Sequence, residues 1–223
     1  MEPEVVLAVV AVGWAAGAAV LRARRKRRHR GMAAWATSRS LDFQKVWLAG
    51  PLRRSPDDEF SRFKLFQHGR TSRTTNVAMG RIDGFDVRVF DYRHILISGR
   101  GKRAQTYTVC IVDGPSLHDV HFFCRRQAPV FDAIGKAFGG QDIDFVHDEA
   151  FSDAFVLQTR SDEQQLRSFL HPRLRATLTA FAPDNIVLEV VGGTLVLHRA
   201  RRLAPDELGP LVDAALRIRR CFP

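Results

Sequence analysis

The chain has 223 residues, 34 Lys and Arg against 24 Asp and Glu, and a formal net charge of +10. That length suits one domain with an appendage, or two small domains, and is too short for a TIM barrel with extra segments. The 45% hydrophobic and 26% charged residues are globular proportions that argue against disorder, and three cysteines, Cys110, Cys124 and Cys221, are too few for a disulfide-stapled scaffold.

The charge is uneven: residues 1–30 carry net +5, residues 31–140 net +7, and residues 141–223 net −2. From Val5 to Leu21 the chain has no charge, and the indole of Trp14 is its one polar group. As a helix this run is roughly 25 Å long, the low end for a ~30 Å hydrocarbon core, and snorkelling of Arg22 and Arg24 extends it. A signal peptide would place its cations before the apolar run. Here Met1-Glu2-Pro3-Glu4 leads, and Arg22, Arg24, Arg25, Lys26, Arg27, Arg28 and Arg30 follow. The positive-inside rule then predicts a single-pass anchor, with the N-terminus outside and the remainder cytoplasmic. A buried N-terminal helix of a soluble protein is the competing reading, but such helices are usually shorter and amphipathic.

The seven cations read as a topology signal and as an attraction for anionic lipid headgroups, at about 1 kcal/mol each. Pressed against a bilayer they offer poor access to nucleic acid, which is not expected as a partner. Gly13 and Gly17 form a GxxxG spacing suited to a homodimer through the transmembrane helix, although the spacing arises readily by chance in an Ala-rich segment.

Residues 31–60 read as a connector: 32–40 continues or restarts a helix, and the prolines of 51–59 mark a loop. Strands follow at Arg73–Met79, Phe85–Tyr92, Gln105–Val112 and Val120–Arg125, with Asp83-Gly84 as a hairpin turn. A helix is predicted over Ala128–Phe138 and a strand near Ala154–Thr159. Ser161 is the expected N-cap of a helix carrying Leu166, Phe169 and Leu170, and Pro172 opens the next. A hairpin, Ile186–Val191 with Leu195–His198, precedes a last helix from near Pro205. The expected class is α+β: an N-terminal transmembrane helix, then a mostly antiparallel sheet with packed helices. Residues 61–223 form its cytoplasmic domain, open to division into two subdomains meeting near 140–150.

No pattern specifies a reaction. His118, His121 and Cys124 are spaced by three, so on a strand His121 faces away from the other two, and no metal site or cofactor is expected. Arg100, Lys102 and Arg103, with Gly99 and Gly101, form a candidate anion-binding loop without the Walker spacing. Phe60, Phe63 and Phe66 mix with Arg62 and Lys64, yet their spacing is that of a core-facing segment. Asp142, Asp144, Asp148, Glu149 and Asp153 are the alternative, an acid/base set for an enzyme with a membrane-proximal substrate, but helix capping and ion pairing account for them more simply.

Several segments together resemble a family of bacterial single-pass membrane proteins with a cytoplasmic domain. They are Asn76-Val77 to Gly80, Phe90-Asp91-Tyr92, Gly99 to Lys102, Asp142-Ile143-Asp144-Phe145, Phe151-Ser152 to Phe155-Val156-Leu157, and Asp162-Glu163 into Leu166-Arg167. The resemblance spans roughly residues 33–200; the stretch Arg93 to Arg103 departs from it in being strongly basic. It implies an anchored α+β domain and no assigned activity. The resulting expectation is a non-enzymatic module that binds a protein partner or anionic lipid at the inner face of the membrane.

Overall fold

The computed structural model describes residues 3–46, 59–67, 72–98, 101–115, 119–127 and 143–223, with the side chains of 3–15 and 96–98 outside the description. Residues 51–58 of the predicted 51–59 loop, the helix over 128–138 and the positions of Arg100, His118 and Asp142 lie outside the described residues.

The backbone folds around one eight-stranded antiparallel sheet. Strands β1 (Asp42–Val46), β2 (Arg73–Ile82), β3 (Phe85–Ser98) and β4 (Gly101–Asp113) form a meander. Strands β5 (His121–Arg126), β6 (Phe155–Thr159), β7 (Ile186–Val191) and β8 (Thr194–Arg199) complete the sheet. The spatial order is β1-β2-β3-β4-β8-β7-β5-β6, so the chain leaves the meander, builds the far edge, and returns through the β7–β8 hairpin to pair β8 with β4. Asp83 and Gly84 both adopt positive φ, as the predicted two-residue hairpin turn requires. The short strand β1 was not apparent from the sequence.

Five α-helices are described: α1 (Pro3–Ser38), α2 (Glu149–Ala154), α3 (Glu163–Phe169), α4 (Pro172–Ala180) and α5 (Leu208–Arg219). Asp162, not Ser161, caps α3; its carboxylate accepts from the Gln165 amide at 2.9 Å. The last helix begins after a 3-10 turn at Pro205–Glu207, three residues beyond the expected start. On α5 the buried Leu208, Leu211, Val212, Ala215 and Leu216 form one apolar stripe.

The sheet has two covered faces because alternate residues of each strand point to opposite sides. On one face Val87, Val89, Cys110, Val112, Leu195 and Leu197 join side chains of α3, α4 and α5, and Met32 of α1, in the main core. On the other, Phe90, Tyr92, Val109, Ile111 and Val196 pack under Phe60, Phe63 and Phe66. The phenylalanines spaced by three are therefore core, as their pattern suggested. Among the described residues no helix is long and apolar enough to cross a membrane; most of Val5–Leu21 falls where side chains are not described.

Candidate functional site

Helix α1 runs unbroken from Pro3 to Ser38, through the basic run and onto the sheet. Its docked face is a stripe at i, i+4, i+7 and i+8: Arg28, Met32, Trp35 and Ala36. Met32 and Ala36 are fully buried, and Trp35 packs against both clusters they enter. Gly31 passes so close to Pro205 that a Cβ there would sit 2.6 Å from the proline Cγ.

Arg28 is the polar member of this stripe and is only 8% exposed. Its Nε donates to Asp91 Oδ2 at 3.0 Å and its Nη2 to Asp91 Oδ1 at 2.8 Å, a two-pronged pair between α1 and β3. Arg28 Nη2 also reaches Thr108 Oγ1 at 3.2 Å, and that hydroxyl donates to Asp91 Oδ1 at 3.1 Å. Asn76 Nδ2 donates to Asp91 Oδ2 at 3.0 Å, and the backbone N–H of Leu203 donates to Thr108 Oγ1 at 2.9 Å. His29 meets Asn76 Oδ1 at 3.2 Å. Asn76 sits at the β2 bulge with φ of 55°, a left-handed conformation that Asn tolerates and that turns its amide onto Asp91. Two pieces of the resemblance pattern, Asn76 and Asp91, are thus brought together although 15 residues separate them.

This burial corrects the reading of the basic run. Arg28 is withdrawn from the lipid-facing set, because its guanidinium is enclosed and neutralised by Asp91. Arg22, Arg24, Arg25, Lys26, Arg27 and Arg30 are exposed. Lys26, Arg27 and Arg30 share one open face of α1 with Ala23 and Gly31. Gly17 is free of neighbours, a Cβ there meeting nothing within 4 Å, whereas the surroundings of Gly13 are outside the description.

The anion-binding loop is also corrected. Pairing of β3 with β4 continues to Ser98 opposite Gly101, so Lys102 and Arg103 lie on a strand, where consecutive side chains point to opposite faces. They are not brought together as one grip on a phosphate. Both are exposed.

Of the acidic cluster, Asp148 caps α2 by accepting from Phe151 N at 3.2 Å and pairs with Arg175 Nε at 2.6 Å. Asp144, Glu149 and Asp153 are exposed. His121 and Cys124 diverge: His121 bonds Glu189 at 2.8 Å on one face, and Cys124 is buried in the core on the other. Among the described residues no three His, Cys, Asp or Glu side chains gather as a metal site.

Fold and junction define an α+β domain whose antiparallel sheet is entered by one long N-terminal helix. No family model and no curated protein matches the chain. Among solved structures it is similar to the crystal structure of the mycobacterial trehalose monomycolate transport factor A, TtfA. The TM-score is 0.60 at 14% identity, over 88% of this chain and 96% of that one, a likeness of fold.

Proposed function

We propose that the chain is a non-enzymatic binding or scaffolding module, held at the inner face of a bacterial cell membrane by its N-terminal helix. The observation that carries this reading is the continuity of α1. One helix includes the uncharged run Val5–Leu21, the exposed cations Arg22 to Arg27, and the docked stripe from Arg28 to Ala36. A helix crossing the bilayer would reach the interface at Arg22 and enter the domain about 9 Å later, at 1.5 Å per residue. No flexible linker intervenes, so the domain is held rigidly at the surface rather than tethered loosely.

The exposed cations suit the headgroups of an anionic inner leaflet, and Gly13 and Gly17 suit contact with a second copy of the helix. The likeness to TtfA, named as a transport factor, favours an accessory role over a catalytic one. The family resemblance points the same way.

The test is a truncation that spares the junction. Deleting residues 1–21 leaves Arg28 and the docked stripe in place, and is expected to move the protein from carbonate-washed membranes to the soluble fraction. A truncated protein that stays with the washed membranes would overturn the reading.

A further inference from the structure

We infer that the basic end of the β1–β4 meander is a second membrane contact, lying on the headgroups of an anionic bilayer beside the exit of α1. The inference rests on the anchored reading above and adds a surface from the opposite side of the junction.

The register brings the end of β1, the start of β2, the end of β3 and the start of β4 to one end of the sheet, with Val46 opposite Thr75, Arg73 opposite Arg93, and Ser98 opposite Gly101. This end carries Lys45, Arg73, Arg93, Lys102 and Arg103, all exposed. Between Asp91, which Arg28 occupies, and this end of the strands, the described residues hold no carboxylate. The other end of the same strands carries Asp42, Asp83, Asp86 and Asp113, with Arg81 among them. The meander is thus electrically polar along its strands, which no composition count reveals.

The docking of α1 gives that polarity a direction. Ala36 clusters with Ala78, His29 meets Asn76, and Arg28 meets Asp91 and Thr108. Moving toward the N-terminus of α1 therefore means moving toward the cationic strand ends. From Arg28 back to Leu21 is roughly 10 Å of helix, and from Asp91 to Ser98 roughly 23 Å of strand. The β3–β4 ribbon therefore reaches the plane of Leu21 even when inclined by about 60° to the helix. An anionic headgroup layer matches the sign and the breadth of the surface, since charges spread over four strand ends fit a sheet of phosphates better than one small ligand.

The experiment uses the full chain reconstituted in vesicles of phosphatidylcholine alone, or of phosphatidylcholine with phosphatidylglycerol. A fluorophore is attached through Ala104→Cys on the ribbon or Arg81→Cys at the opposite end; Cys110, Cys124 and Cys221 are buried and do not compete. Quenching by headgroup-borne spin labels is expected to be several-fold stronger at position 104 than at 81 in the phosphatidylglycerol vesicles. It is expected to fall on adding salt or on combining Arg93→Gln, Lys102→Gln and Arg103→Gln, while flotation with the vesicles persists. Equal quenching at the two positions, with flotation intact, overturns the second contact, leaves the anchor standing, and assigns the basic end to a partner other than lipid. Failure to float with either vesicle removes the anchor reading and this inference with it.

Discussion

Arg28 and Asp91, 63 residues apart, meet in a two-pronged buried ion pair that joins the N-terminal helix to the centre of the meander. Such a pair gains little over well-packed apolar residues, because desolvating both ions offsets most of their attraction. Its geometry is specific, however. Only one rotation of α1 puts the Arg28 fork against both carboxylate oxygens while Met32 and Ala36 enter the core. The pair therefore sets how the helix leaves the domain more than how stable the domain is.

Removing one partner is a different matter from replacing both. Arg28→Ala leaves Asp91 buried without its cation and is expected to lower stability by about 3–5 kcal/mol. Arg27→Ala, one residue away and exposed, is expected to change it by less than about 0.5 kcal/mol. Urea unfolding of the full-length protein in detergent compares the two, and similar midpoints would show that Arg28 is not the junction.

Two glycines of α1 should respond oppositely to alanine. At Gly17 a Cβ meets nothing within the chain, so in the detergent-solubilised monomer Gly17→Ala is expected to stabilise the helix by up to about 1 kcal/mol. At Gly31 the same methyl lands on the Pro205 ring, and overpacking of about 1–3 kcal/mol outweighs the gain in propensity. Thermal melts of the two variants are expected to move in opposite directions, the Gly31→Ala melt downward.

His198 gives a pH dependence. Burial lowers its pKa to about 4 from an ordinary 6.5; the Arg199 carbonyl, 3.1 Å from Nδ1, opposes the shift, and His94 adds to it. Between those values the unfolded chain binds a proton that the folded protein does not. Stability from this group is complete above about pH 6.5 and falls as pH drops toward 4, by about 3 kcal/mol in all. Chemical denaturation across that range reads the slope, and His198→Gln is expected to flatten it.

Cys110 and Cys124 are fully buried, and desolvation raises both thiols well above their ordinary range. Neither is expected to react with iodoacetamide in the native protein at neutral pH, and both are expected to react in denaturant. Mass spectrometry of the alkylated sites checks this, and native labelling of Cys124 would contradict its placement in the core.

Much of the sheet was legible locally. Alternation in Phe85–Phe90 and the Asp83-Gly84 turn specify a hairpin within a few residues, as does the Gly192-Gly193 turn between β7 and β8. The ribbon beyond Tyr92 runs past the expected strand end: Ile95, Leu96 and Ile97 suit a strand, but the glycines and cations of Gly99 to Arg103 read as a turn, and continuous pairing holds the backbone extended down to Ser98 and Gly101. Ser161 was the expected cap because its hydroxyl and spacing suit the role; the structure engages that hydroxyl with the His121 amide at 2.7 Å and leaves the capping to Asp162.

The candidate site divides along the same line. Sequence alone determined that the uncharged run Val5–Leu21 is followed by seven cations, because charge and periodicity are properties of neighbouring residues. It also holds a further signal, the spacing of Arg28 with Met32, Trp35 and Ala36, which marks Arg28 as facing the domain. Tertiary structure decided which cation is enclosed, since that depends on Asp91, Thr108 and Asn76 arriving from two strands and a bulge. It likewise decided that five scattered cations share one end of the meander, because antiparallel pairing sends residues distant in sequence to a common edge.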